Sequence, residues 1–165
     1  MNKNIKEKAA KRIAIVADDN KRTQLIEWSY FNKDLLAQHE LTAISETAEI
    51  LDGTLKVPVK KLFTRYTGGY EQLAGLIETN KIDILFFFAE PDMEKEKDND
   101  LKKLLVLAAK HNIMIACNEI TTELLMRTVL KKETDAGPTR GYRSGIRQTI
   151  SFINHLATKP SMAAM

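Results

Sequence analysis

The sequence predicts a doubly wound, mostly parallel three-layer α/β domain built on a five-stranded sheet. Three observations carry this. Short apolar runs recur about five times, and stretches with helical apolar spacing lie between them. One run, Ile84 to Ala89 with Ile82 just ahead of it, is apolar without alternation. It is too short to cross a membrane and too continuous for a strand with one wet face, so it reads as a strand covered on both sides at the centre of a parallel sheet. Finally, strand and helix signals alternate rather than cluster, the pattern that lays helices on both faces of a sheet.

Taken in order, 1–11 is a polar, flexible N-terminal segment. Arg12 to Ala17 is the first strand, ended by Asp18-Asp19-Asn20, one of which would cap the next helix. Leu25, Trp28, Phe31, Leu35 and Leu36 have helical spacing, which predicts one helix over Lys21 to Gln38. Glu40 to Ile44 is a second strand, Thr47 to Leu51 one or two helical turns, and Asp52-Gly53 a turn. Val57 to Phe63 is a third strand, placed near an edge because Pro58 has no N–H for a ladder. Thr67-Gly68-Gly69 opens a helix that buries Tyr70, Leu73, Ala74, Leu76 and Ile77, and Ile82 to Ala89 is the fourth strand. Asp98-Asn99-Asp100 caps a helix to about His111, facing Leu101, Leu104, Leu105 and Ala108 inward. Ile113 to Cys117 is the fifth strand, followed by a helix capped by Thr121 or Thr122 and reaching about Lys132. A Gly/Pro-containing loop, Asp135 to Ser144, precedes a last amphipathic helix to Ala157. The domain is therefore drawn at 12–157, with 158–165 a disordered tail.

The totals fit one soluble domain: 165 residues, 44% hydrophobic, 28% charged, with a net charge of +3. So small and scattered an excess of positive charge is no nucleic-acid footprint, although it suits a small anionic ligand. No window has the length of a membrane span, and the lysine-rich start lacks the apolar stretch of a secretory signal. The single cysteine, Cys117, excludes an internal disulfide framework and fits a reducing, cytoplasmic setting.

In this architecture ligands bind beyond the carboxyl ends of the strands. The residues there are Asp18, Asp19 and Asn20; Ser45, Glu46 and Thr47; Thr64 to Gly69; Glu90 and Pro91; and Asn118. Gly68-Gly69 at a helix start brings backbone N–H groups close to an anion, or is simple turn chemistry. Asp18 and Asp19 are a functional pair, or one caps a helix while the other is solvated. Asn118 holds a ligand or satisfies a loop backbone. His39, His111 and His155 lie in or beside helices, away from this rim and without metal-ligand spacing, and Cys117 reads as a small core residue. The charged run Asp92 to Asp100 is a solvated loop or a lid. Arg140, Arg143 and Arg147, with Tyr142 among them, hold a phosphate or a partner's acidic group, or are solvated.

These residues resemble the methylglyoxal synthases from about Lys11 to Thr122. The resemblance rests on Ile13-Ala14-Ile15-Val16-Ala17-Asp18-Asp19, on Gly68-Gly69-Tyr70-Glu71-Gln72-Leu73-Ala74-Gly75-Leu76-Ile77, on Lys81 through Pro91, and on Ile115-Ala116-Cys117-Asn118. It implies a Rossmann-like sheet, a homo-oligomer (a hexamer in the family) and elimination of phosphate from dihydroxyacetone phosphate to give methylglyoxal, with neither metal nor organic cofactor. Several family positions are altered. The family's His-Asp pair is Asp18-Asp19, its helix lysine is Arg22, and its Thr-Gly-Thr-Thr-Gly phosphate loop is Ile44-Ser45-Glu46-Thr47-Ala48. Glu46 puts a negative charge where the resemblance seats the substrate phosphate. The Gly-Gly-Asp general base becomes Gly68-Gly69-Tyr70, the phosphate-holding serine becomes Thr64, Asp-Pro becomes Glu90-Pro91, and a downstream histidine becomes Lys97, while Asp100 keeps the later aspartate.

The candidate catalytic set is Asp19, Glu71, Glu90 and Asp100. The candidate ligand-binding set is Asp18, Arg22, Ser45, Thr47, Thr64, Gly68, Gly69, Tyr70 and Asn118, with no metal site. Three readings follow: a divergent relative that has lost the elimination and binds a small anionic, possibly phosphorylated metabolite at the rim; a working synthase with a rearranged base; and an oligomeric regulatory or scaffold module.

Overall fold

The computed structural model describes residues 9–89 and 99–130. Five strands form one parallel sheet in the order β3-β2-β1-β4-β5. They are β1 (Arg12–Ala17), β2 (Glu40–Ala43), β3 (Val59–Lys61), β4 (Ile84–Phe88) and β5 (Met114–Ala116). The helices are α1 (Arg22–Phe31), α2 (Lys33–Leu36), α3 (Ser45–Leu55), α4 (Gly69–Glu78), α5 (Asn99–Lys110) and α6 (Glu119–Leu125). This is the predicted α/β architecture, with every described strand pair parallel.

Alternation along the strands builds two cores. Ile13, Ile15 and Ala17 of β1 and Ile84, Phe86 and Phe88 of β4 face Leu25, Leu36, Ala48 and Leu51 from α1 to α3. Ala14, Val16, Leu85 and Phe87 face Leu73, Ile77, Leu101, Leu104 and Ala108 from α4 and α5. Burial on both faces explains why β4 is apolar at every position. Trp28 lays its ring against Phe86, at 5.2 Å between centroids, and Phe88, at 4.9 Å. At the amino end of the sheet Arg12 clamps Asp83, with Nη2 donating to Oδ1 at 2.7 Å and the Arg12 N–H to Oδ2 at 2.8 Å. That pairing holds the Asp83 carboxyl below its usual range, chiefly through the Arg12 hydrogen bonds.

The chain winds outward from β1 through β2 to β3, then crosses back to place β4 on the other side of β1. Connections therefore leave β1 and β4 in opposite directions, and the switch opens a crevice at their carboxyl ends.

Several local expectations are corrected. The predicted helix 21–38 breaks at Asn32, whose side chain and backbone N–H both donate to the Trp28 carbonyl. Phe31, expected inside, is 83% exposed because that break ends the apolar stripe. None of Asp18, Asp19 and Asn20 is the N-cap of α1, which is Lys21; Asp19–Lys21 instead forms a 3-10 turn, closed by Lys21 N–H donating to the Asp18 carbonyl, and the Asp18 side chain accepts no cap bond. The turn expected at Asp52-Gly53 lies inside α3, which continues because Ala48, Leu51 and Leu55 keep one buried face. It ends at Lys56, in the left-handed region at φ 54°. Neither Thr121 nor Thr122 caps α6, since Asn118 does. Glu90 and Lys97, together with the loop and helix expected beyond Lys132, lie outside the described residues.

Candidate functional site

Each strand end delivers its residues to the same edge of the sheet. β1 runs on into Asp18, whose N–H donates to the Phe88 carbonyl of β4 at 3.0 Å, extending the ladder into the crevice. After β2, Ser45 and Glu46 open α3. After β3, Phe63 to Gly68 form a tight loop before α4. The Thr67 and Gly69 N–H groups both donate to the Thr64 carbonyl, and the hydroxyls of Thr64 and Thr67 pair at 2.8 Å.

Gly68 holds φ at 100°, a conformation that favours glycine. A Cβ on Gly69 would stand 2.3 Å from the Phe63 carbonyl oxygen and 2.8 Å from that of Thr64. Only glycine lets α4 approach the loop this closely.

The loop carries Arg65, a residue absent from the expected set, and Arg65 organises the rim. Its backbone N–H donates to both Glu46 carboxylate oxygens, at 3.2 and 3.4 Å, and its Nε lies 3.7 Å from Glu46 Oε1. Its Nη2 donates to Asp19 Oδ1 at 3.1 Å. The Arg65 side chain is 19% exposed, that of Asp19 86%. Partial burial works against the guanidinium's charge, but Tyr70, Asp19 and Glu46 outweigh it and hold its pKa above the usual value. Burial also pushes the Tyr70 phenol up to about 12, with Arg65 opposing and Asp18, Glu46 and Asp19 adding to the rise.

Of the expected site residues, the structure thus brings Asp19 and Tyr70 together with Glu46 around Arg65, and the charge of Asp18 bears on Tyr70. Thr64, Gly68 and Gly69 form the supporting loop. Ser45 reaches Glu49, 3.4 Å away, which also pairs with Lys61, and the charge of Arg22 bears on the same Glu49. Thr47 is 1% exposed, inside α3's packed face. Glu71 is exposed on the first turn of α4, and Asp100 pairs with Lys103 at 3.2 Å, so neither takes part in the Arg65 cluster. Arg65 gave little sequence signal, because its partners are 46 and 19 positions away.

Asn118 sits apart. Its Oδ1 accepts from the Thr121 N–H at 2.9 Å and the Thr121 hydroxyl at 3.0 Å. It borders a cleft of about 510 Å³ between α1 and α6, lined also by Lys21, Gln24 and Phe88. Cys117 lines the same cleft and is exposed, which corrects its reading as a core residue; β5 ends at Ala116, one position earlier. The thiol is nonetheless partly screened from water, which raises its pKa and favours the protonated form. His39 accepts from the Lys11 N–H, at the opposite end of the sheet. Among the described residues no group of His, Cys, Asp and Glu is arranged to hold a metal, and no helix is long and apolar enough to cross a membrane.

No family model matches the chain. Individual relatives do. It is 37% identical over 125 residues to the methylglyoxal synthase of Pectobacterium atrosepticum, covering 76% of this chain and 82% of that one. It is 38% identical over 120 residues to that of Coxiella burnetii, covering 73% and 84%. The crystal structure of methylglyoxal synthase from Elizabethkingia anophelis superposes with a TM-score of 0.67 at 30% identity, over 75% of this chain and 82% of that one. The extent of these matches and the shared parallel sheet make the chain a member of the methylglyoxal synthase family.

Proposed function

We propose that this protein is a methylglyoxal synthase relative that does not eliminate phosphate and instead binds a small anionic ligand at the strand carboxyl ends. The observation that carries the reading is Tyr70. It stands where the resemblance puts the general base, buried, with a phenol pushed up to about 12. Removing a proton beside a carbonyl needs a base able to lose its own proton near neutral pH. At pH 7 roughly one molecule in 10⁵ would carry the phenolate. Glu46 supports the same reading, since its carboxylate already accepts the Arg65 N–H in the loop expected to seat phosphate. A cytoplasmic homo-oligomer is part of this proposal.

One observation favours a second reading, a working synthase with a substitute base: Asp19 is 86% exposed and so open to a substrate. Against it, the Asp19 carboxylate is already engaged by Arg65 Nη2 at 3.1 Å.

The test is methylglyoxal formation from dihydroxyacetone phosphate by purified protein, alongside Asp19→Asn, Glu71→Gln and Asp100→Asn. No turnover above the uncatalysed background is expected. Turnover abolished by one of the three substitutions would overturn the proposal and name the base.

A further inference from the structure

We infer that Arg65 is the anion-holding residue of this rim and that it selects a small monocarboxylate over a phosphate ester. The inference rests on the reading above that the rim binds an anion, and it names which anion and which residue. A guanidinium presents a rigid planar fork matched to the two oxygens of a carboxylate. Glu46 holds the Arg65 backbone through its N–H and places a carboxylate oxygen 3.7 Å from Nε at the near end of that fork. The outer nitrogen, Nη2, donates to Asp19, whose side chain stands almost wholly in solvent.

An ion pair with one partner so exposed is weak, because the Asp19 carboxylate loses little by returning to water. Asp19 is therefore a replaceable occupant: it shows the guanidinium engaging a carboxylate from the solvent side, and a ligand carboxylate can take its place. The ligand then meets an arginine whose side chain is already packed, at 19% exposed, so little side-chain freedom is lost on binding.

The same surroundings disfavour a phosphate dianion. A helix-start phosphate site offers several free N–H and hydroxyl donors. Here the Thr67 and Gly69 N–H groups are spent on the Thr64 carbonyl, and of the two hydroxyl protons on Thr64 and Thr67 one is spent on the other hydroxyl. Glu46 adds a fixed negative charge beside Arg65. The nearby Arg22 lends its charge to Glu49. With Glu46 and Asp19 already set against the single charge of Arg65, a second negative charge on the ligand costs more than the first.

The experiment is calorimetric titration of the full chain with pyruvate, acetate, inorganic phosphate and dihydroxyacetone phosphate. The variants are Asp19→Asn, Arg65→Gln, Arg65→Lys and Glu46→Gln, each checked for folding by circular dichroism. Pyruvate or acetate is expected to bind more tightly than phosphate. Asp19→Asn should strengthen that binding about three- to tenfold by removing the internal competitor, Arg65→Lys should weaken it about tenfold, and Arg65→Gln should abolish it. Glu46→Gln should narrow the preference against phosphate.

Phosphate binding more tightly than either carboxylate overturns the inference, as does carboxylate binding untouched by Arg65→Gln. If Arg65→Gln does not fold, unchanged carboxylate affinity in Asp19→Asn overturns it alone. Failure of the wider reading looks different: dihydroxyacetone phosphate is then converted to methylglyoxal. Phosphate binding without turnover sinks the carboxylate inference only.

Discussion

Gly69→Ala tests whether the rim loop and α4 are held together by the close approach at this glycine. The added methyl would stand 2.3 Å from the Phe63 carbonyl oxygen, 2.8 Å from that of Thr64 and 3.0 Å from Ile44 Cγ2. The first two are backbone atoms, and both are engaged: the Phe63 carbonyl accepts from Ser45 N–H, that of Thr64 from Thr67 and Gly69. Relief therefore requires the whole loop to move. Overpacking of this kind costs about 1–3 kcal/mol, and the better helix propensity of alanine returns up to about 1 kcal/mol. The net expectation is a loss between about 0 and 3 kcal/mol, centred on about 1.5, or a fall in Tm of about 3–6 °C for a chain of this size.

Gly75→Ala is the control. It lies in the same helix with nothing within 4 Å of the added methyl, so it should gain about 0.5–1 kcal/mol. Urea unfolding of the pair, followed by circular dichroism, gives both numbers. Because the displaced loop carries Arg65, Gly69→Ala should also weaken ligand binding, while Gly75→Ala should not. Equal stability of the two variants would refute the argument.

Two further outcomes follow from the shifted groups. Asp83 is held below its usual pKa by Arg12, so its contribution to stability is complete above the unfolded value and is lost as pH falls through the folded one. Wild-type protein should therefore lose stability below about pH 4 more steeply than Asp83→Asn, as measured by urea unfolding across that range. Tyr70 shifts the other way. Its folded phenol is raised to about 12, so the stabilisation present below about pH 10 fades as pH climbs between the two values. Absorbance titration should show no change in wild-type minus Tyr70→Phe until well past pH 10; a step near pH 7 would make Tyr70 a usable base.

How far the sequence could be read depended on the range of the interactions. The unbroken apolar run of β4 announced a strand covered on both faces, and Phe86 and Phe87 do fill opposite cores. The Gly68-Gly69 pair marked the start of α4, and the tight contact at Gly69 explains why glycine stands there. Asp52-Gly53 misled because local turn preference was overridden by the buried stripe of Ala48, Leu51 and Leu55. Thr121 and Thr122 matched a cap by residue type, but Asn118 stood three positions ahead with the needed acceptor. Arg65 was hidden for another reason. A single arginine in a loop carries no pattern of its own, and its meaning lies in Glu46 and Asp19, which only the fold brings near. The available hint was the altered Glu46 itself, since a carboxylate placed in an anion loop calls for a compensating cation.

The position of β1 also shapes the order in which the chain assembles. On one side it pairs with β2, through residues as near as Lys11 and His39, 28 positions apart; on the other it joins β4, where Arg12 and Asp83 are 71 positions apart. Closing the longer loop costs more chain entropy before any contact rewards it. The half from β1 to β3 can thus gather early, and the β1–β4 seam sets the height of the folding barrier. Substitutions along that seam should slow refolding, whereas changes confined to the β2–β3 edge should mainly hasten unfolding.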